Sequence, residues 1–434
     1  MAITFSGLAS GLDTASLIKQ LVAAERSPAD AITQKQSDLN TQKSIVASLS
    51  SAVSKLGTVV KGMAIPSDLQ PRTASASDAH VSVTATAGAA STVHDVRVEQ
   101  LARGQITASS AFASMAAGVV GAGTLTIATG GKTASVSYSP SDTLSDIAAK
   151  INNANVGASA SVLYDGSTYR LMVAATGTGS ANAPVFTETG ASLGLAQPEN
   201  VKVAAQDAKV SIDGVSVTRS TNTIDDAIQG LTLTLNSPQA TGDADTAVTV
   251  GLDNSALTTK LSSFVSAYNA INSALHVQLD YTGSTKGTNT LFGDSTLVRL
   301  QNSLGGLMSA AYGGNAIDSV GLVRDKDGNL TLDSDKLAAA LNKNPNALSD
   351  FFVTNGFTKA VRGLTDAYTA AGSGFFATKT QSITDRFKAL QTQADNINSR
   401  ADTLQTTLQS QFNALETAMS NLKSQSSYLT SILG

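Results

Sequence analysis

The chain has no cysteine and no tryptophan, and it is poor in charge, aromatics and histidine. Without cysteine there is no disulfide staple, no thiolate metal ligand and no cysteine nucleophile, so stability has to come from packing. That absence suits work outside the cell without disulfides, and equally suits simple compositional drift. Charged residues make up 14%, against roughly 25% in an ordinary globular chain. The net charge is −4, with no basic run. Nucleic acid and anionic membrane partners both need clustered Lys and Arg, so both lose support. Aromatics at 5% argue against large cores and for small β-domains with Ala/Val interiors. No stretch approaches the ~20 apolar residues of a membrane span. Met1–Ser10 has no positive charge cluster and Lys19 interrupts any apolar run, so no signal peptide is expected. The chain is then either cytoplasmic or exported by a route that reads an uncleaved N-terminus.

What is present is a heptad at both ends. From Phe375 to Leu433 there is no Gly or Pro. Apolar residues fall at Ile383, Phe387, Leu390, Ala394, Ile397, Ala401, Leu404 and Leu408, then Phe412, Leu415, Met419 and Leu422. The steps alternate between four and three with one extra four at Phe412, which is a coiled-coil seam with a single stutter. Ile32, Leu39, Val46, Leu49, Val53, Leu56, Val60 and Met63 keep the same register near the other end. A long amphipathic helix cannot bury its stripe alone. The candidate assembly seam is therefore Leu12, Ile18, Leu21, Leu39, Val46, Leu49, Val53, Leu56, Leu404, Leu408, Phe412, Leu415, Met419, Leu422, Leu429 and Leu433. Leu257–Leu275 carries a third stripe and is expected to join the same stalk. Ser27-Pro28-Ala29-Asp30 reads as a fresh helix start, with Ser as cap and Pro at the first position. A break or kink near Pro28 is expected, with the helix ending around Gly62.

Between the helical ends, alternation by two takes over. Val81, Val83 and Ala85 line one face, and Val96 and Val98 another. Val210 and Ile212, then Asp213-Gly214, then Val215 and Val217 form a hairpin signal, because Asp-Gly supplies the positive φ angles of a type I′ turn. The fold class expected is α+β and multidomain: a terminal coiled-coil stalk with two inserted, mainly β head domains. Residues 1–70 and 253–434 would form the stalk and its base. Residues 72–103 and 201–252 would form an inner β domain, and 104–200 an outer one inserted into it.

No constellation for chemistry emerges. Asp325-Lys326-Asp327-Gly328-Asn329 resembles a calcium loop, but its Gly falls two places early and its twelfth position is Lys336 rather than Glu, so it reads as a β-turn. Gly130-Gly131-Lys132-Thr133 resembles the tail of a phosphate loop, but the required earlier Gly is Thr126 and strands flank it. Gly177-Thr178-Gly179 lacks a third Gly. His80, His94 and His276 form no short-spaced pair, and no spacing singles out two carboxylates as an acid/base pair. No cofactor, metal site or catalytic residue is expected.

Gly7-Leu8-Ala9-Ser10-Gly11-Leu12-Asp13-Thr14, followed by Leu21-Val22-Ala23-Ala24-Glu25, resembles the opening of the bacterial flagellar filament cap family, the hook-associated protein two (FliD) family. Gln411-Phe412-Asn413-Ala414-Leu415-Glu416 and Ser426-Ser427-Tyr428-Leu429 resemble its end. Ser211-Ile212-Asp213-Gly214-Val215, Asn222-Thr223-Ile224 and Gly230-Leu231-Thr232-Leu233 resemble its head-to-stalk region, and Gly321-Leu322 through Asp333 its later hairpin. Asp142-Thr143-Leu144-Ser145-Asp146-Ile147, continuing to Asn152, resembles an insertion motif shared by flagellar axial proteins. Residues 153–200 match nothing. The resemblance implies export through the flagellar channel, retention at the extracellular filament tip, and a ring of subunits that guides exported flagellin into the lattice and prevents its loss. It further implies contact with the hook–filament junction protein and a dedicated export chaperone. The alternatives are a junction protein or a flagellar adhesin. The ring contacts are expected to be head-to-tail, since a heterologous interface must close or grow as a filament.

Overall fold

The computed structural model describes residue 11, residues 13–279 and residues 291–433. It separates into a helical unit, Met1–Pro66 with Thr258–Gly434, and a β unit, Ser67–Leu257. Helix α1 (Thr14–Lys61) leads into β1 (Arg72–Ala76), β2 (Val81–Ala85), β3 (Val93–Gln100) and β4 (Ile106–Ala108). Then come β5 (Gly123–Thr129), β6 (Lys132–Tyr138), α2 (Leu144–Asn153), β7 (Ala158–Tyr164), β8 (Tyr169–Ala175), β9 (Val185–Gly190) and β10 (Val201–Val203). The β unit continues with β11 (Ala208–Ile212), β12 (Val215–Arg219), β13 (Thr223–Ile224), β14 (Leu231–Leu235) and β15 (Thr246–Leu252). Helices α3 (Asn254–Leu279) and α4 (Ser295–Ser309), the hairpin β16 (Leu322–Arg324) and β17 (Leu330–Leu332), and α5 (Ser334–Lys343), α6 (Ala347–Ser349), α7 (Phe357–Thr369) and α8 (Phe375–Leu433) complete the chain. Long terminal helices with sheets between them give the expected α+β class.

In the helical unit, α1 and α8 pack antiparallel. Gln36 donates to Gln391 at 2.9 Å, while further down Glu25 meets Arg400 at 3.1 Å and Arg26 pairs with Asp402. Asp13 caps α1 by accepting from the Ser16 N–H at 3.0 Å. The helix is continuous through Pro28, so of the break or kink expected there the break does not occur. Val22, Ala29 and Ile32 are buried on both sides of the proline while the proline is exposed, so side-chain packing holds both turns in one helix. Only the Ala24 carbonyl loses its helical donor, and Ala24 is exposed to water. Helix α7 also lies along α1: the Thr358 hydroxyl donates to the Met63 carbonyl at 3.2 Å. An aromatic cluster of Phe264, Tyr312, Phe351, Phe352 and Phe357, with ring centroids 5.1–6.0 Å apart, fills the interior beside it.

The β unit holds two separate apolar cores. One lies under the five-stranded antiparallel sheet β1-β15-β3-β11-β12 and the three-stranded sheet β13-β14-β2, with Val96, Val98, Val210, Leu233 and Val248 at its centre. The other lies between α2 and the sheets β10-β4-β8-β7 and β6-β5-β9, with Leu125, Ile127, Ile147, Ile151 and Leu171 inside. Helix α2 starts on a capping box, in which the Thr143 hydroxyl accepts the Asp146 N–H and the Asp146 carboxylate accepts the Thr143 N–H. Asp213 and Gly214 stand at φ 49° and 80°, as a type I′ turn between β11 and β12 requires. No described helix is long and apolar enough to cross a membrane.

Candidate assembly interface

The stripe on α1 and α8 passes from closed to open along its length. Leu39, Val46, Leu49, Val53 and Leu56 are each at most 4% exposed. On α8, Ile383, Ala394 and Ala401 are buried. Leu404, Leu408 and Phe412 are half-buried, as is Ile18. Leu415, Met419, Leu422 and Leu429 are 43%, 37%, 59% and 56% exposed, and Leu21 is 48% exposed. The described residues therefore cover the stripe on α8 only in part. Leu12 lies outside the described residues.

The transition falls at the stutter. A groove of about 640 Å³ opens there between the two helices, lined by Ile18, Val22 and Ala23 of α1 and by Gln405, Gln409 and Phe412 of α8. An extra four-residue step unwinds a supercoil locally and turns the following stripe toward a new direction. Charges rim the groove: Lys19 lines it, and Arg26 is tied to Asp402. Toward the other end, Asp294 caps α4 and pairs with Lys379 on α8. Burial pushes the Asp294 carboxyl up, but Lys379 and the Thr296 and Leu297 N–H groups outweigh it and hold the carboxyl below the ordinary carboxylate range.

Elsewhere the polar clusters fasten turns. Asp325 accepts the Asp327 and Asn329 N–H groups at 2.9 and 2.8 Å and so closes the β16–β17 hairpin. Gly130 and Gly131 at φ 56° and 83° turn β5 into β6. One arrangement escaped sequence reading: Thr92 Oγ1 lies 2.9 Å from His94 Nε2, and His94 Nδ1 lies 2.7 Å from Asp213 Oδ2. The other Asp213 oxygen accepts the Asp95 N–H at 2.9 Å. The His94 hydrogen bond, then the Asp95 N–H, hold the Asp213 carboxyl below its usual range. The group anchors the Asp213-Gly214 turn to β3. No spacing signal could reveal it, because strand pairing brings together residues far apart in sequence.

Comparison with known proteins fits this geometry. Residues 205–424 match the family described as flagellar hook-associated protein 2 C-terminus, and residues 10–105 match its N-terminus. Residues 124–177 match the flagellin hook IN motif, which spans α2. The A-type flagellar hook-associated protein 2 of Pseudomonas aeruginosa is 28% identical over 92% of this chain and 90% of its own length. The flagellar hook-associated protein 2 of Escherichia coli K12 is 28% identical over 82% of this chain and 81% of its own. The crystal structure of the D1-D2-D3 domains of the flagellar cap protein FliD from Escherichia coli superposes with a TM-score of 0.65 at 26% identity, covering 78% of this chain and 99% of that one. With half of its length matched by the C-terminal family and its first hundred residues by the N-terminal one, this chain belongs to the flagellar hook-associated protein 2 family.

Proposed function

We propose that this chain caps the distal end of a bacterial flagellar filament, outside the cell, where it promotes the assembly of exported flagellin and prevents its loss. Family membership supports the role. The observation that carries the mechanism is the uncovered end of α8. Leu415, Met419, Leu422 and Leu429 form a stripe at coiled-coil spacing, and its continuation passes through half-buried Phe412, Leu408 and Leu404 to buried Ala401, Ala394 and Ile383. Each such leucine contributes roughly 1.5–3 kcal/mol when removed from water. An open stripe continuous with a closed one is therefore a contact surface for other helices, those of neighbouring subunits or of the lattice beneath. The terminal helices form the stalk that reaches the lattice, and the two bodies of the β unit are the head. The subunits close head-to-tail into a ring, with the hook–filament junction protein and a dedicated export chaperone as further partners. The chain acts as an assembly part and not as an enzyme.

The test is Leu422→Asp with Leu429→Asp. Both residues are exposed in the subunit, so the fold should persist. A carboxylate placed in a dry helical contact carries a large desolvation cost, so filament growth should stop and flagellin should appear in the medium. Normal filaments on the double variant would sink the claim that this stripe anchors the cap. Mass measurement of the full-length protein across concentrations tests the ring, and a two-fold dimer as the sole species at high concentration would refute it.

A further inference from the structure

The two cores of the β unit share no residue, yet hydrogen bonds join their bodies where the chain crosses between them and at one loop. The chain crosses between them twice, once before β4 and once before β11. The crossings meet in one antiparallel bridge, where the Arg103 and Gln206 N–H groups each donate to the other's carbonyl, at 2.9 and 3.1 Å. Side chains add to the bridge, with Gln206 donating to the Leu101 carbonyl at 2.8 Å, Arg103 to the Gln206 side chain at 2.9 Å and Gln100 to the Asp207 carbonyl at 2.7 Å, and the two segments make a narrow ribbon. The other tie is the loop between β8 and β9. The Gly179 N–H donates to the Arg103 carbonyl at 3.1 Å, and the Thr178 hydroxyl donates to the Ser220 carbonyl at 2.7 Å. The Ser180 N–H and hydroxyl donate to the two oxygens of Asp207, both at 2.7 Å.

The seat is cut for glycine. Gly179 sits at φ 90°, and a Cβ there would lie 2.4 Å from Ser220 Cβ and 2.6 Å from its Cα. No side chain fits without lifting the loop. Gly104 on the ribbon is similar, since its Cβ would meet the Gly177 carbonyl oxygen at 2.9 Å. The gripping residues are small and polar, so water can replace their hydrogen bonds when the loop lifts, and no core side chain is uncovered. The Ser180 hydroxyl and N–H also hold the Asp207 carboxyl below its ordinary range.

We propose that the Gly177–Asn182 loop is a releasable latch that fixes the outer β body on the inner one, and that lifting it turns the Arg103–Gln206 ribbon into a hinge. Both cores stay folded through the movement. This device stands on the β unit alone and does not depend on the capping role.

The absence of cysteine makes the test direct. Thr84→Cys on β2 and Ser161→Cys on β7, both exposed, take a donor and acceptor dye in the full-length protein, diluted into excess unlabelled protein. The parent should show one narrow energy-transfer population. Gly179→Ala should add a second, and so should Ser180→Ala combined with Asp207→Ala. Loss of about one net hydrogen bond corresponds to a rise of the unlatched population on the order of tenfold. Thermal unfolding of the β unit should keep its cooperativity and midpoint in both variants. One narrow population in both variants would overturn the latch. A collapsed β unit in both would also overturn it, by showing that the loop is part of the cores' stability.

Discussion

Residues 383–401 and 415–429 belong to one uninterrupted helix and carry the same three–four spacing, yet they meet opposite surroundings. The first stretch presents Ile383, Ala394 and Ala401 to α1 and is closed, whereas the second leaves Leu415, Met419, Leu422 and Leu429 in water. The composition of the stripe explains part of the contrast. The closed part buries alanine at two seam positions, beside half-buried Phe387, Leu390 and Ile397. The open part uses leucine and methionine, which reach outward and need a partner to fill the space around them. A periodic stripe therefore states that a helix has an inside, and the size of the residues on it bears on whether that inside is already occupied.

The largest expected effect breaks the closed part. Val46→Asp places a carboxylate at a position with no exposure. It forfeits roughly 1.5–3 kcal/mol of burial and adds a desolvation penalty of similar or greater size. The helical unit should lose its cooperative melt, while Leu422→Asp alone should move the midpoint by about 0.5 kcal/mol or less, as exposed substitutions do. Circular dichroism melts of the two variants decide it, and equal losses would erase the distinction between the ends.

Much of this was legible in sequence, and the limits are physical. Period 3.5 and period 2 are local signals, so the terminal helices, the Asp213-Gly214 hairpin and the stutter at Phe412 could be read directly. The continuity of α1 through Pro28 could not. Local propensity at Ser27-Pro28 favours a new start, and burial of Val22, Ala29 and Ile32 on either side overrides it. Strand order was equally hidden, because β1 pairs with β15 and β3 with β11 across more than a hundred residues. The tie from His94 to Asp213 is a consequence of that pairing. Where cover stops on α8 depends on which residues of α1 lie alongside, which spacing alone does not contain.

Packing at Ala401 sharpens the comparison at intermediate size. It has no exposure, so Ala401→Leu forces extra methylenes into a filled contact and should cost about 1–3 kcal/mol. Met419→Leu, on the open stretch, should change the stability of the free subunit by less than about 0.5 kcal/mol. Urea midpoints at constant slope measure both. A tolerated Ala401→Leu would mean that the helices separate there easily, and the closed part would be closed only in name.

Pro28 lies on α1 between the open groove and the closed stretch. Restoring the missing helical bond with Pro28→Ala should stabilise the helical unit, by an amount up to the ~3 kcal/mol propensity difference and reduced to about 1 kcal/mol by relaxation already present around an exposed proline. Hydrogen exchange should show slower opening of residues 18–32, the part nearest the groove. No change in protection would place the weak point elsewhere.

The smallest effect concerns acid, and it belongs to the closed end alone. Asp294 caps α4 and pairs with Lys379 of α8, with its carboxyl held below the ordinary range by Lys379 and two backbone N–H groups despite opposing burial. A carboxyl whose folded pKa is depressed stabilises the fold above its unfolded pKa, near 4, and that contribution is lost as pH falls through the lower folded value. Asp294→Asn keeps a competent cap, since asparagine serves at that position as well as aspartate, but it removes the charge facing Lys379. At neutral pH the Asn variant should be less stable than the parent by about 1 kcal/mol, the scale of a charged hydrogen bond partly open to solvent. Below the depressed value the parent's carboxyl is itself neutral, so the two proteins should converge. Melting of both at neutral pH and at successive steps below pH 4 tests the claim. A difference that persists undiminished into acid would show that the Asn substitution disturbs packing around α4, and that the charge pair is not what ties this end of α8 down.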